Sequence, residues 1–120
     1  MRNMKLLIVD DSKLLLDKLS DFFSKCDFVS KVFKSTNVET GKSILDEEDI
    51  DVVLTDIEMP GVNGFELLAY IKKKYPEIKI VMITNYYYSQ YRQKAESMGA
   101  DYFISKTGDF NQLVQLLEGI

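Results

Sequence analysis

Asp10, Asp11, Asp56, Thr84 and Lys106 carry the side chains with the most chemistry in this sequence, because each stands at the end of an apolar run. Asp10-Asp11 follows Leu6-Leu7-Ile8-Val9, Asp56 follows Val52-Val53-Leu54-Thr55, Thr84 closes the run from Ile78, and Lys106 follows Ser105. Three carboxylates packed together repel one another unless one keeps its proton or a cation intervenes. Oxygen ligands with open positions suit magnesium, which takes one or two carboxylates together with waters and a phosphate. An aspartate can act as a nucleophile and carry a phosphoryl group. Metal and lysine would then spread the charge of the group in transfer. The chemistry these residues suggest is phosphoryl transfer to Asp56.

The elements that would position them are legible from periodicity. Val52 to Thr55 is apolar on both faces and is closed by Pro60-Gly61, which predicts a buried strand inside a parallel sheet. Asp56 then lies at its carboxyl end, where open α/β sheets place their ligand sites. Further strands are expected over Lys5–Val9, Phe28–Lys34, Ile78–Thr84 and Asp101–Ser105. The second has an imperfect alternation, with Phe28, Val29, Val32 and Phe33 as its apolar positions. Leu15, Leu19, Phe22, Phe23 and Cys26 repeat at helical spacing, with Asp17, Lys18, Asp21 and Lys25 opposite and Ser12 as the cap. A short helix is expected over Asn37–Asp46, with Val38, Gly41, Ile44 and Leu45 inward, followed by the acidic loop Glu47-Glu48-Asp49. Asn63 caps a helix over Phe65–Tyr75, with Phe65, Leu68, Ile71 and Tyr75 on one side, and Pro76 stops it. Tyr88–Met98 is the next helix, and Gly99 fits its left-handed end. Asp109–Gly119 is the last, with Phe110, Leu113, Leu116 and Leu117 inward. Strands alternating with helices imply right-handed crossovers onto one parallel sheet covered on both faces. The strand ends share one edge, so the five polar side chains converge there.

Bulk properties narrow the function classes. A length of 120 residues reads as one domain, 1–120, able to bury a core without disulfides or a structural metal. Apolar residues make up 46% and charged residues 28%, an ordinary globular balance. The net charge of −4 argues against nucleic-acid contact by this segment. Cys26 is the single cysteine, so no internal disulfide forms, and its place in an amphipathic helix reads as a reduced core thiol. With no histidine, His-based acid–base catalysis and His-ligated metals are excluded. The first apolar run is interrupted by Asp10-Asp11 too early for a signal peptide, and no run approaches membrane-spanning length. The expected location is the cytoplasm, with no membrane partner.

Each residue taken alone has a plainer reading. Asp10-Asp11 suits a helix cap, Asp56 a turn before Pro60, Lys106 a surface lysine, and Thr84 a strand-end hydroxyl bonded to backbone. Their joint occurrence at one sheet edge is what argues for a site. Tyr86, Tyr87, Tyr88 and Tyr91 fit either packing over the last strands or a partner surface.

The pattern Asp10-Asp11, Asp56-x-x-Met59-Pro60-Gly61-x-x-Gly64, Thr84 and Lys106 resembles the receiver domain of bacterial two-component response regulators, in order and spacing across essentially the whole chain. The resemblance implies a doubly wound flavodoxin-like sheet of order 2-1-3-4-5, for which a chemotaxis receiver is the reference case. It implies Asp56 as phosphoacceptor, Asp11 as direct magnesium ligand with Asp10 assisting, and the backbone carbonyl of Glu58 as a further ligand. Thr84 and Lys106 would contact the phosphoryl oxygens. Phe103 occupies the aromatic position of the family's switch, although a half-buried strand aromatic explains it equally well. By the same resemblance the donor is a sensor histidine kinase or a phosphotransfer protein. The output face is the fourth helix, fifth strand and fifth helix, serving a downstream protein, an effector domain outside this segment, or a homodimer.

Three positions depart from the family pattern. Thr107 follows Lys106 where the family usually has a proline in a cis peptide, and a cis bond before a non-proline residue costs about 3 kcal/mol. Asn85 stands where a small residue is usual and narrows access to the phosphoryl group. Glu58, two residues after Asp56, flanks the attacking water and is expected to change the lifetime of the phosphorylated state, in a direction the sequence leaves open. Two rivals remain from other classes: a phosphorylation-independent interaction module, and a phosphatase or dehalogenase with an aspartyl nucleophile. The second fits worse, since Glu58 replaces the second acid of Asp-x-Asp and no substrate-capping insert is present.

Overall fold

The computed structural model describes residues 3–59, 61, 63–84, 89–105 and 110–120. Strands and helices alternate: β1 (Met4–Val9), α1 (Lys13–Ser24), β2 (Val29–Ser35), α2 (Val38–Glu47), β3 (Val52–Asp56), α3 (Gly64–Lys74), β4 (Lys79–Thr84), α4 (Ser89–Ser97), β5 (Tyr102–Ser105) and α5 (Phe110–Glu118). The strands form one parallel sheet in the order β2-β1-β3-β4-β5. This is the doubly wound flavodoxin-like arrangement expected from the sequence.

The three central strands are apolar on both faces because both faces are covered. Leu7, Val9, Val53, Ile80 and Met82 turn to a layer closed by α2, α3 and α4 through Val38, Leu45, Leu67, Leu68, Ile71 and Ala95. Leu6, Ile8, Val52, Leu54, Val81 and Ile83 turn to the opposite layer, closed by α1 and α5 through Leu16, Leu19, Phe23, Leu113 and Leu117. Burying each such side chain stabilises the fold by about 1.5–3 kcal/mol before chain entropy is set against it.

The helix starts are set by short polar side chains, as the sequence suggests. Ser12 Oγ accepts from Leu15 N at 3.3 Å, Asn37 Oδ1 from Thr40 N at 2.8 Å, and Asn63 Oδ1 from Phe65 N at 3.0 Å and Glu66 N at 3.3 Å. Gly99 ends α4 at φ +92°, the left-handed conformation expected there.

Two expectations are corrected. The α1 stripe is centred on Leu16, Leu19 and Phe23, while Leu15, Phe22 and Cys26 are half-buried at its border. Cys26 is therefore a rim thiol rather than a core one. In β2 the alternation breaks at a bulge: Met4 pairs with Val29 but Lys5 with Lys31, leaving Ser30 as the extra residue, its hydroxyl donating to the Met4 carbonyl at 3.2 Å. Phe28 precedes the strand and is buried. Tyr75 caps α3 and packs half-buried against the layer of Phe65, Leu68 and Ile71, as expected.

Its hydroxyl has another task. Asp46 Oδ1, near the end of α2, accepts from Tyr70 Oη at 2.6 Å, Tyr75 Oη at 2.5 Å and Lys74 Nζ at 3.0 Å. The Tyr70 bond first, then those of Tyr75 and Lys74, hold the Asp46 carboxyl down to about 2. A lowered folded-state value means the contribution is complete above the unfolded carboxylate range of about 4 and is lost as pH falls through about 2. Wild type should therefore lose more stability than Asp46→Asn between about pH 5 and pH 2, read as urea midpoints. Parallel losses would show that the carboxylate does not tie α2 to α3.

Candidate functional site

The acidic site follows from strand register. Val9 pairs with Thr55 and Asp56 with Ile83, so the residues ending β1, β3 and β4 meet at one carboxyl edge. Carboxylate oxygens of Asp10, Asp11 and Asp56 lie within 4.8 Å of one another. Asp10 and Asp56 are buried at 0% and 3% exposure, while Asp11 is exposed at the mouth. Thr84 is also fully buried.

Local bonds fix these groups. Asp10 Oδ1 accepts from Ser12 N at 2.8 Å, so the turn that caps α1 also orients the buried acid. Glu58 N donates to Asp56 Oδ1 at 3.3 Å. The Asp56 carbonyl accepts from Thr55 Oγ1 at 3.0 Å, and Gly64 N donates to the Ile57 carbonyl at 2.8 Å. These bonds bring the start of α3 against the end of β3, so closely that a Cβ on Gly64 would lie 2.1 Å from the Asp56 carbonyl oxygen. Glycine stands at position 64 of this chain because no side chain fits there.

Of the residues expected at the site, the structure brings together Asp10, Asp11 and Asp56, and Thr84 ends the strand next to Asp56. Glu58 is exposed; its backbone N–H faces Asp56 and its side chain bonds elsewhere. Phe103 is half-buried on β5, against the layer of α2, α3 and α4. Lys106, Thr107, Asn85, Pro60, Tyr86, Tyr87 and Tyr88 lie outside the described residues. No cis peptide occurs among the described residues, and the Lys106-Thr107 bond is not one of these. Tyr91 belongs to the packing reading of the tyrosine group: it is half-buried, edge-on to Phe65 with centroids 5.9 Å apart. Sequence reasoning missed the roles of Ser12 as the group orienting Asp10 and Thr55 as the clamp on the Asp56 carbonyl. Ser12 was visible as a cap, and a cap two residues after a strand-end acid is the signal that could have found it.

The donor set suits a hard divalent cation. Three carboxylates at this spacing, two of them buried, need a positive charge to coexist as anions. Asp10, Asp11 and Asp56 would hold it, and oxygen ligands of this kind favour magnesium over softer metals.

The family model for the response regulator receiver domain matches residues 6–118. The chain belongs to this family. The receiver domain is 29% identical over 113 residues to sporulation initiation phosphotransferase F of Bacillus subtilis, covering 94% of this chain and 90% of that one. It is 29% identical over 117 residues to response regulator protein PilR of Pseudomonas aeruginosa, covering 98% of this chain but 26% of that one. Across five such curated relatives the receiver domain spans 26% to 60% of their length. Among solved structures it is similar to the CheY-like receiver domain protein from Methanospirillum hungatei, at a TM-score of 0.85 and 26% identity, covering 97% of this chain and 91% of that one. The BeF3-activated DrrB receiver domain matches at a TM-score of 0.86 and 26% identity, covering 99% and 97%. The receiver domain is thus a two-component signal receiver. Among the described residues, no helix is long and apolar enough to cross a membrane.

Proposed function

We propose that Asp56 accepts a phosphoryl group from a histidine kinase or a phosphotransfer protein, and that the new charge resets the outer surface of the domain. The observation that carries this reading is the buried Asp56 carboxylate within 4.8 Å of two other acids at the carboxyl edge of the sheet. An Asp56 oxygen attacks the donor's phosphorus, the new O–P bond forms, and the P–N bond to the donor histidine breaks with its electron pair leaving on nitrogen. The hydroxyl of Thr84 and the ammonium of Lys106 receive the phosphoryl oxygens. A magnesium ion held by Asp10, Asp11, Asp56 and the Glu58 carbonyl would neutralise charge on the group in transfer. Loss of the phosphoryl group by self-catalysed hydrolysis returns the domain to its starting state.

The output is a population shift. Thr84 moves toward the phosphoryl group, Phe103 turns into the space left, and the face of α4, β5 and α5 presents a changed surface to a protein target, an adjoining effector segment or a second copy. The half-buried position of Phe103 against the core supports this role. An acidic chain of net charge −4 supports protein partners rather than direct nucleic-acid contact.

The test is intact mass after incubation with magnesium and acetyl phosphate. Wild type should gain one phosphoryl group, Asp56→Asn none, and a chelator should abolish the gain. Hydrogen exchange on the same sample should change over residues 89–105. No gain by folded wild type would overturn the reading and leave a phosphorylation-independent interaction module.

A further inference from the structure

Tyr91 reaches from α4 to the loop that follows the acceptor. Its hydroxyl donates to Glu58 Oε1 at 2.6 Å, across 33 residues of sequence. At that length the bond is of the short charge-assisted kind that forms between a hydroxyl and a carboxylate. The tyrosine ring is itself held: it meets Phe65 edge-on at an angle of 67°. Phe65 is buried, lies in the first turn of α3 with its N–H on Asn63 Oδ1, and has the Lys94 ammonium 4.6 Å from its ring centre. Glu58 is therefore fixed at both ends, its N–H on Asp56 Oδ1 and its carboxylate on α4. An exposed glutamate without such a bond would sample several rotamers.

Resting on the reading of Asp56 as phosphoacceptor, we propose that Tyr91 is a positioning residue that holds the Glu58 carboxylate out of the hydrolytic reaction and so lengthens the life of the phosphorylated state. In hydrolysis a water oxygen forms a bond to phosphorus while the bond from phosphorus to the Asp56 oxygen breaks. Asp56 leaves with the electron pair as a carboxylate, and inorganic phosphate departs. The proton lost by the water needs an acceptor, and a carboxylate two residues from Asp56 is well placed to take it as general base. With Oε1 engaged by the Tyr91 hydroxyl, the Glu58 carboxylate is directed toward α4. Freed from that bond, it can turn to the water. The direction of the Glu58 effect, which the sequence leaves open, is set by its tether.

The experiment follows loss of the phosphoryl group by intact mass after magnesium and acetyl phosphate are removed, for wild type, Tyr91→Phe, Glu58→Gln and the double variant. Phenylalanine keeps the ring against Phe65, and a thermal melt checks the fold. Tyr91→Phe should lose the group about tenfold faster, within the range a positioned general base supplies. The double variant should decay like Glu58→Gln alone, because the acceleration needs a carboxylate at position 58. Unchanged or slower decay in Tyr91→Phe would overturn the proposal. So would an acceleration that persists in the Glu58→Gln background, since loosening of α4 would act whatever residue 58 is. Failure of wild type to take up the group at all would instead overturn the reading of Asp56, and this proposal with it.

Discussion

Gly64→Ala should destabilise the receiver domain by about 3 kcal/mol, a drop of about 12 °C in thermal midpoint for a chain of this size. The added methyl would lie 2.1 Å from the Asp56 carbonyl oxygen, 3.0 Å from Ile57 Cα and 3.1 Å from the Asp56 carbonyl carbon. All three are backbone atoms, so no side chain can swing aside. Either the first turn of α3 moves out, breaking the bond from Gly64 N to the Ile57 carbonyl, or β3 shifts and turns the Asp56 carboxylate. Both routes should slow phosphoryl uptake as well as lower stability. Gly61→Ala is the contrast. Gly61 sits at φ +81° with no atom of the described residues within 4 Å of a built Cβ, so its cost is backbone strain, about 1 kcal/mol. If Gly64→Ala melted no lower than Gly61→Ala, the close approach of α3 to β3 would not constrain the site as described.

The second large effect has the opposite sign. Two carboxylates within 4.8 Å of each other repel by about 3 kcal/mol or more at an effective dielectric of about 20. Asp10 and Asp56 make further interactions as well. Asp56→Asn keeps the oxygen that accepts from Glu58 N and removes the charge. Without metal, the variant should be more stable than wild type by about 1.5 kcal/mol, or about 6 °C. Magnesium at ten times its dissociation constant should raise wild-type stability by about 1.4 kcal/mol and the variant by much less. Thermal melts with and without magnesium check both parts. A variant no more stable than wild type, or one with the same magnesium response, would show that Asp56 carries little of the site's negative charge.

The ends of the strands were legible because chemistry interrupts pattern there. An acid straight after Leu6-Leu7-Ile8-Val9 or Val52-Val53-Leu54-Thr55 breaks an apolar run abruptly, and a parallel sheet puts all such breaks on one edge. Ser12, Asn37 and Asn63 announced helix starts by the same local logic. Other features were hidden for identifiable reasons. Leu14-Leu15-Leu16 offers three phases for one helical stripe, and only tertiary packing selects Leu16 and leaves Leu14 68% exposed. The Ser30 bulge looks in sequence like a faulty alternation. The bonds of Asp46 to Tyr70 and of Glu58 to Tyr91 join residues 24 and 33 apart, and no local pattern pairs them.

The two apolar layers have a consequence for how such a protein can diverge. Among the described residues, the buried side chains under α1 and α5 and those under α2, α3 and α4 form separate clusters on the two faces of the sheet. Substitutions in one set then combine additively with those in the other, because sites that share no partner do not couple. The helix surfaces on the two sides of the sheet can drift toward new recognition tasks independently. Epistasis between the sides is confined to the carboxyl rim, where Asp10, Asp11, Asp56 and Thr84 leave little freedom to change.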